Sequence, residues 1–400
     1  MTETARSAEP VPGLRLGTVA AGIRRPGRPD LVIMEFAAGS RAAAVFTQNR
    51  FRAAPVRIAE RHLAACEPRY LLINAGVANA GTGARGETDT MACCGAVADH
   101  TGCAPEAVVP FSTGVIGEPL PVGAIEAGIP GALEALTPAG WEAAAEGIHT
   151  TDTRIKVASY RVEVAGGTCT ITGMAKGAGM IRPDMATMLA FVGTDAGLSQ
   201  GALDAALRRA VQRSFNRVTV DGDTSTNDAC LLAATGQGPE VPDDGGDFER
   251  FQAALEAVCI DLARAVAADG EGATRLVEVP VTGARDEREA ERVAFTVAES
   301  PLVKTALAAA DPNWGRILAA VGRAGVTDLA IEDVRLSLSG MPIVAGAAPV
   351  SDYDEAEAAR ILQRDEVRIG IDLGRGAAAA TVWTCDLTAE YVRINAEYRT

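Results

Sequence analysis

Short apolar runs and helical stripes alternate along the 400 residues of the chain. Unbroken apolar runs bounded by turn residues predict strands at LVIMEF, AAVF and YLLINAG, and later at RLVEVPV, VRLSLSG, VRIGIDL and ATVWTCDL. One helical stripe behind the capping residue Ser199 consists of Leu203, Leu207, Val211 and Phe215. A second stripe runs from Phe248 to Val266, and an Ala-rich helix is predicted near 302–310. The pattern therefore predicts mixed α/β structure.

Composition and charge narrow the expected partners. The chain is 48% hydrophobic, enough for a large core, and its 52 acidic against 37 basic residues give a net charge of -15. No Lys/Arg-rich block occurs, so neither nucleic acid nor an anionic membrane surface is expected as a partner. No apolar run reaches the roughly 18 residues of a membrane helix, and the opening MTETARSAEPV is polar and acidic. We expect a cytoplasmic protein with a small-molecule substrate.

The chain has no sequence pattern typical of a metal or cofactor site. Its eight cysteines form no C-x-x-C pair, and its three histidines do not lie at ligand spacing. FNRVTVDGDTSTND fails as a calcium loop because Thr226 replaces the turn glycine and Leu232 the bidentate glutamate. Side chains bonded to the main chain of a tight loop explain this segment better. KGAG lacks the third glycine of a dinucleotide fingerprint, so neither a metal nor a cofactor is expected.

A threonine stands where a loop meets a predicted strand. In KGAGMIRPDMATMLAFVGTDA, Gly177, Gly179 and Pro183 mark a loop, whereas residues 188–192 form an apolar run, which places Thr187 at the junction. One interpretation is a β-branched residue that starts a strand. The other is a nucleophile, which needs a base other than histidine because no histidine-containing nucleophile motif occurs here.

The α-amine of Thr187 is a suitable base, since an α-amino group has an intrinsic pKa of about 7.7–8.0. That amine exists only after the bond between Ala186 and Thr187 is cut. The threonine hydroxyl can attack the preceding carbonyl, and hydrolysis of the ester formed by this N-to-O acyl shift completes the cut. Acyl transfer also requires donors to an oxyanion. FSTGVIGEPL offers Thr113 and Gly114 for that role, with an ordinary strand-ending turn as the alternative.

Together these segments resemble the bifunctional ornithine acetyltransferases, the glutamate N-acetyltransferase family of arginine biosynthesis. KGAGMIRPDMATM is similar to the self-cleavage motif of that family. The match continues through AAVFTQNRFRAAPV, STGVIGEP, TTDTRIK, FNRVTVDGDTSTND, DGEGATRL, DPNWGRI and YVRINAEYRT, and extends from about Gly13 to Thr400. Two positions depart from the family pattern, Asp184 where Asn is usual and Ala75 where Ser or Thr is usual.

The resemblance implies a layered α/β fold of the N-terminal-nucleophile type, with mixed sheets flanked by helices. It also implies that the precursor cuts itself between Ala186 and Thr187 into an α fragment, residues 1–186, and a β fragment, residues 187–400. Thr187 is then the nucleophile, and Thr113 and Gly114 are the oxyanion pair. The implied substrate contacts are Thr153, Lys176, Thr187, Glu271, Asn395 and Thr400. The alternatives for these contacts are structural, such as a solvated loop charge for Lys176 or a frayed end for the tail.

The implied function is ping-pong transfer of acetyl from N2-acetyl-L-ornithine to L-glutamate through an ester on Thr187. Some members of the family also accept acetyl-CoA. The alternatives are a related acyltransferase of specialised metabolism, an amidohydrolase with the same self-cleaving threonine, and an uncut protein that only binds amino acids. The expected partners are amino-acid substrates and the two fragments themselves, assembled as α2β2 or larger.

Overall fold

The structure is a computed structural model and describes residues 8–24, 26–182 and 188–397. Three predicted site residues, Ala186, Thr187 and Thr400, lie outside the described residues, as does Asp184. The β-strands are β1 (Leu14–Val19), β2 (Leu31–Phe36), β3 (Arg41–Phe46), β4 (Tyr70–Val77), β5 (Val108–Val115), β6 (Lys156–Val164), β7 (Gly167–Lys176), β8 (Leu189–Thr194), β9 (Ala229–Ala234), β10 (Leu276–Ala284), β11 (Arg335–Leu338), β12 (Met341–Ala345), β13 (Ala348–Pro349), β14 (Glu366–Asp372) and β15 (Ala378–Cys385). The α-helices are α1 (Ala54–Ala65), α2 (Gly83–Thr101), α3 (Val122–Glu134), α4 (Trp141–Gly147), α5 (Gln200–Arg213), α6 (Gly245–Ala268), α7 (Glu287–Ala298), α8 (Pro301–Ala308), α9 (Trp314–Gly322), α10 (Glu355–Leu362) and α11 (Ala389–Glu397).

The strands form three mixed sheets. The first has the strand order β1-β2-β4-β5, in which β4 and β5 are parallel. The second has the order β3-β9-β8-β7-β6, in which β8 and β9 are parallel. The third has the order β13-β12-β11-β14-β10-β15, in which β10 and β14 are parallel. The other neighbouring strands in each sheet are antiparallel.

The first and second sheets pack face to face on one apolar core. Met34, Ile73 and Phe111 of the first sheet meet Phe191 and Leu231 of the second sheet there. The rings of Phe111 and Phe191 pack edge to face with their centroids 5.0 Å apart. Each of the five side chains is buried, and complete burial of such a side chain contributes about 1.5–3 kcal/mol. This shared core fixes the two sheets relative to each other.

Helices cover the outer faces of both sheets. Apolar side chains of α2 and α3 pack on the first sheet, and those of α5 and α6 pack on the second. The third sheet forms a separate core with α7, α8, α9 and α10. The layers therefore follow the order helix, sheet, sheet, helix, which confirms the expected layered α/β fold with mixed sheets flanked by helices.

Several predicted elements occur where the apolar pattern placed them. LVIMEF is β2, and the apolar run after Thr187 becomes β8. Ser199 caps α5, since its side chain accepts the N–H of Ala202 at 3.1 Å. The helix expected from Phe248 begins three residues earlier, at Gly245. Among the described residues, no helix is both long and apolar enough to cross a membrane.

Candidate active site

A cavity of about 300 Å³ opens where strands of the first two sheets end. The structure describes six of the predicted site residues, and five of them line this cavity: Thr113, Gly114, Lys176, Glu271 and Asn395. Residues 225–228 and Met188 complete part of the wall. Residues far apart in the sequence thus converge on one cavity, next to the residue that follows Thr187.

Thr113 and Gly114 lie near the carboxyl end of β5, beside β4. Thr113 is opposite Ala75 and Gly114 is opposite Gly76 in the parallel pair. Gly114 has a φ of +128°, and a Cβ there would lie 2.2 Å from the carbonyl carbon of Gly76. Only glycine fits such a position. The two expected oxyanion donors are therefore placed on the cavity wall by strand pairing and by the lack of a side chain at residue 114.

Lys176 is the last residue of β7, and its side chain is almost wholly buried. It pairs with Leu189 of β8, two positions after Thr187 in the sequence. Its Nζ donates hydrogen bonds to Oγ1 of Thr113 at 3.1 Å and to Oγ1 of Thr150 at 2.8 Å. Burial lowers the pKa of Lys176, although nearby carboxylates oppose the shift. In its charged form this lysine can bind a substrate carboxylate.

Glu271 and Asn395 form a second polar wall of the cavity. Glu271 follows α6 and is buried, and Asn395 lies in α11. Nδ2 of Asn395 donates to Oε2 of Glu271 at 2.8 Å. A Cβ on Gly179 would lie 2.5 Å from the carboxylate carbon of Glu271, so a glycine permits this packing. The carboxylate can bind a substrate ammonium.

Among the predicted site residues that the structure describes, only Thr153 does not line the cavity. Its main-chain N–H donates to Oδ2 of Asp269 at 3.0 Å, and its hydroxyl donates to the same carboxylate. Thr150 and Thr151 of the same segment line the cavity instead. The structure therefore shows Thr153 holding a buried carboxylate.

Three buried charges behind this wall were not identified from the sequence. Nζ of Lys156 lies 2.7 Å from Oδ1 of Asp152 and 2.5 Å from Oδ2 of Asp269. Asp152 also accepts the main-chain N–H of Gly177 at 2.6 Å. Burial favours the neutral acid, but the ammonium groups of Lys176 and Lys156 outweigh it and hold the pKa of Asp152 well below its usual range. We call Asp152, Lys156 and Asp269 the ionic triad.

Residues 225–228 join the cavity wall to the first sheet. Nδ2 of Asn227 donates to the carbonyl oxygens of Ala78 at 2.7 Å and Ser112 at 2.9 Å. Ser112 directly precedes Thr113 on β5, so this loop helps to place the expected oxyanion donors. Within the segment, the main-chain N–H groups of Asp223 and Asn227 donate to the side chains of Asp221 and Ser225, each at 3.2 Å, which confirms the predicted local bonding.

Asp228 is a further buried carboxyl group in the wall that sequence reasoning missed. It is 2% exposed, and burial raises its pKa well above the usual range. Hydrogen bonds from Ser225 and from the main chain of Met188 oppose the rise. The sequence predicted only that this aspartate helps to hold a tight loop.

The described groups suit an amino-acid substrate that carries both a carboxylate and an ammonium group. Lys176 offers a cation for a carboxylate, and Glu271 offers an anion for an ammonium. Thr113 and Gly114 offer donors to a developing oxyanion. None of the described lining residues is a histidine, and the expected base, the α-amine of Thr187, lies outside the described residues.

Comparison with known proteins gives matches over nearly the whole chain. The model of the ArgJ family matches residues 15–400. The arginine biosynthesis bifunctional protein ArgJ of Methylococcus capsulatus is 55% identical over 393 residues, which cover 98% of this chain and 96% of that protein. The ArgJ protein of Pseudomonas syringae pv. tomato is 51% identical over 394 residues, covering 98% of this chain and 97% of that protein. A crystal structure of ArgJ from Bacillus halodurans is 43% identical with a TM-score of 0.51, and 53% of this chain covers 100% of it.

Proposed function

The chain belongs to the ArgJ family of arginine biosynthesis bifunctional proteins, and we propose that it transfers acetyl from N2-acetyl-L-ornithine to L-glutamate by a ping-pong mechanism. Family membership makes it an acetyltransferase of arginine biosynthesis. The proposal adds the donor, the acceptor, the nucleophile and the role of each site residue.

The observation that carries this proposal is the set of groups in the cavity. Lys176 and Glu271 line it together with Thr113 and Gly114. Acetylornithine and glutamate both carry an α-carboxylate, which Lys176 binds in this proposal. Glu271, with Asn395 beside it, binds the side-chain ammonium of ornithine. The proposal also includes Thr153 and Thr400, the remaining substrate contacts that the family resemblance implies. The hydroxyl of Thr153 donates to Asp269 in this structure.

The reaction proceeds in two half-reactions. The α-amine of Thr187 accepts the proton of the Thr187 hydroxyl as its oxygen attacks the acetyl carbonyl of acetylornithine. Thr113 and Gly114 stabilise the resulting oxyanion. The carbon–nitrogen bond breaks, and ornithine leaves with the proton on its α-amine. The α-amine of glutamate then attacks the acetyl ester, and acetylglutamate leaves as the Thr187 hydroxyl is restored.

The nucleophile requires a free amine, so the proposal includes a cut between Ala186 and Thr187. The Thr187 hydroxyl attacks the carbonyl of Ala186, and water hydrolyses the ester to give the fragments 1–186 and 187–400. The solved chain of the Bacillus halodurans ArgJ structure aligns over its whole length with 53% of this chain, a length compatible with one of the two proposed fragments. We further propose an assembly of α2β2 or larger, which the family resemblance implies, and a cytoplasmic location.

The first test is cleavage. Intact mass measurement of the purified protein should find two polypeptides, one ending at Ala186 and one beginning at Thr187. Thr187→Ala should remain a single inactive chain of 400 residues, because alanine lacks the attacking hydroxyl. Thr187→Ser keeps a hydroxyl, serves as the matched control, and should still be cut. An uncut wild-type chain with full activity would contradict the mechanism.

The same preparation tests the reaction itself. Mixed with acetylornithine and glutamate, the protein should produce acetylglutamate and ornithine in equal amounts. A hydrolase would produce acetate without acetylglutamate, and a binding protein would produce neither. Replacement of acetylornithine by acetyl-CoA in this assay determines whether the enzyme takes a second donor.

A further inference from the structure

The ammonium group of Lys176 contacts the expected oxyanion donor directly. Its Nζ lies 3.1 Å from Oγ1 of Thr113. A charged lysine can only donate hydrogen bonds, whereas a hydroxyl has one proton and two lone pairs. The oxygen of Thr113 is therefore the acceptor in this contact, and its own proton is left for another acceptor.

We propose that Lys176 is a positioning residue for the Thr113 hydroxyl, which it holds as an acceptor so that the Thr113 O–H is directed at the oxyanion. This inference rests on the proposed function, in which Thr113 stabilises the acetyl-transfer intermediate. A hydroxyl that accepts a hydrogen bond from a cation is polarised and becomes a stronger donor. The contact thus both orients and strengthens the hydrogen bond to the developing negative charge.

The ammonium has enough donors for both this role and substrate binding. It carries three N–H groups. Among the described residues, one is taken by Thr113 and one by Thr150. The third remains for a substrate carboxylate. A substrate contact and a positioning role for Lys176 are therefore compatible within one geometry.

The ionic triad engages the carboxylate that attracts Lys176 most strongly, that of Asp152. Oδ1 of Asp152 already accepts from Lys156 at 2.7 Å and from Gly177 at 2.6 Å. Its Oδ2 accepts the N–H of Thr150 at 3.1 Å. Three hydrogen bonds thus compete with Lys176 for the roughly four acceptor sites of this carboxylate, and the N–H groups of Lys176 go to the two hydroxyls. Lys156 donates one of these competing bonds.

Kinetics can separate a positioning role from a purely binding role. Loss of a contact made equally in the ground and transition states raises KM and leaves kcat unchanged. Loss of support for an oxyanion donor lowers kcat, and it does so only while the donor is present. Thr113 must therefore be varied together with Lys176.

The experiment is a double-mutant cycle on the cut enzyme with acetylornithine and glutamate. Thr113→Ala should lower kcat by ~10²–10³. Lys176→Met should also lower kcat, but in the Thr113→Ala background it should lower kcat no further, because its partner is already missing. The rise in KM caused by Lys176→Met should persist in both backgrounds. Rates are divided by the concentration of cut protein from intact mass measurement, so incomplete cleavage does not distort kcat.

A Lys176→Met change that leaves kcat intact, or a kcat loss that multiplies with that of Thr113→Ala, would overturn the inference. If Lys176→Met fails to fold, the same cycle is run with Lys176→Arg, which keeps the charge but changes the donor geometry. Thr113→Ser is the matched control, since it keeps the hydroxyl and should remain sensitive to Lys176→Met. Failure of the proposed function would show separately, as a wild-type enzyme that makes no acetylglutamate.

Discussion

Two glycines determine how closely groups approach each other in the cavity wall. At Gly114 a side chain would collide with the main chain of Gly76, and at Gly179 it would collide with the carboxylate of Glu271. The first clash involves backbone, which cannot move aside. The second involves the end of a side chain, which can move, but only away from its hydrogen bond to Asn395. Gly179 is therefore the better position for probing the substrate site without disturbing the sheets.

Gly179→Ala should raise KM for acetylornithine about tenfold or more, with a smaller effect on kcat. The new Cβ would lie 2.5 Å from the carboxylate carbon of Glu271, so the carboxylate must shift away from the substrate ammonium. A hydrogen bond to a charged group is worth about 1.5–3 kcal/mol, and about 1.4 kcal/mol is a factor of ten. Steady-state kinetics measure the change. The control is Gly95→Ala in α2, where a Cβ would meet nothing within 4 Å. An unaltered KM for Gly179→Ala would remove Glu271 from the substrate contacts.

At the scale of elements, the ionic triad joins three ends of secondary structure. Lys156 begins β6, Asp269 follows α6, and Asp152 holds Gly177, the residue after β7. Removal of one partner from a buried ion pair costs about 3–5 kcal/mol, because the other charge is left without compensation. The triad therefore fixes the start of strand β6 and the ends of strand β7 and helix α6 around the cavity.

The same triad shows where prediction from sequence stops. Strands such as LVIMEF were predictable because apolar periodicity is local, and the five predicted residues that line the cavity stand in the motifs that carry the family resemblance. Lys156 and Asp269 are separated by 113 residues, and a single sequence gives no sign that two such charges meet in the interior. The hydroxyl of Thr153, a predicted substrate contact, donates to Asp269, a bond that no local pattern indicates. Buried charge pairing depends on the tertiary fold, so it became visible only in the structure.

Helix α11 brings the carboxyl-terminal part of the chain to the cavity. Asn395 bonds to Glu271 at 2.8 Å, and the hydroxyl of Tyr391 donates to Asp221 at 3.3 Å. The hydroxyl of Thr388, just before the helix, donates to the carbonyl of Gly272 at 2.7 Å. These contacts dock a segment that would otherwise be expected to fray.

Deletion of residues 395–400 should raise KM for acetylornithine while cleavage at Thr187 continues. The deletion removes the amide that donates to Glu271 and the predicted substrate contact Thr400, but no group of the acyl shift. Steady-state kinetics and intact mass measurement check the two parts. Val392→Ala in the same helix is the control, because Val392 is 65% exposed and should leave KM unaltered. Unchanged kinetics in the deletion would mean that the tail only packs against the site.

At the scale of the whole molecule, the two proposed fragments are interwoven. In the second sheet, β3, β6 and β7 belong to residues 1–186, whereas β8 and β9 belong to residues 187–400. Strand β3 pairs with β9 over six residues, and β7 pairs with β8 over six more. The core between the first two sheets likewise contains Phe111 from one fragment and Phe191 from the other. Separation of the fragments would break both strand pairings and expose this core.

The cut enzyme should therefore remain one particle under native conditions. Native size determination should find both fragments together at a mass of at least one 41.2 kDa precursor, and at twice that mass or more if the assembly is α2β2 or larger. The pairings of β3 with β9 and of β7 with β8 do not require the bond between Ala186 and Thr187, so the particle should not change size on cleavage.

Uncut Thr187→Ala provides the comparison and should give the same native mass. Denaturant should be needed to separate the wild-type fragments, because their shared apolar core resembles that of an obligate complex. Independent elution of the two fragments in native buffer would contradict the interwoven arrangement.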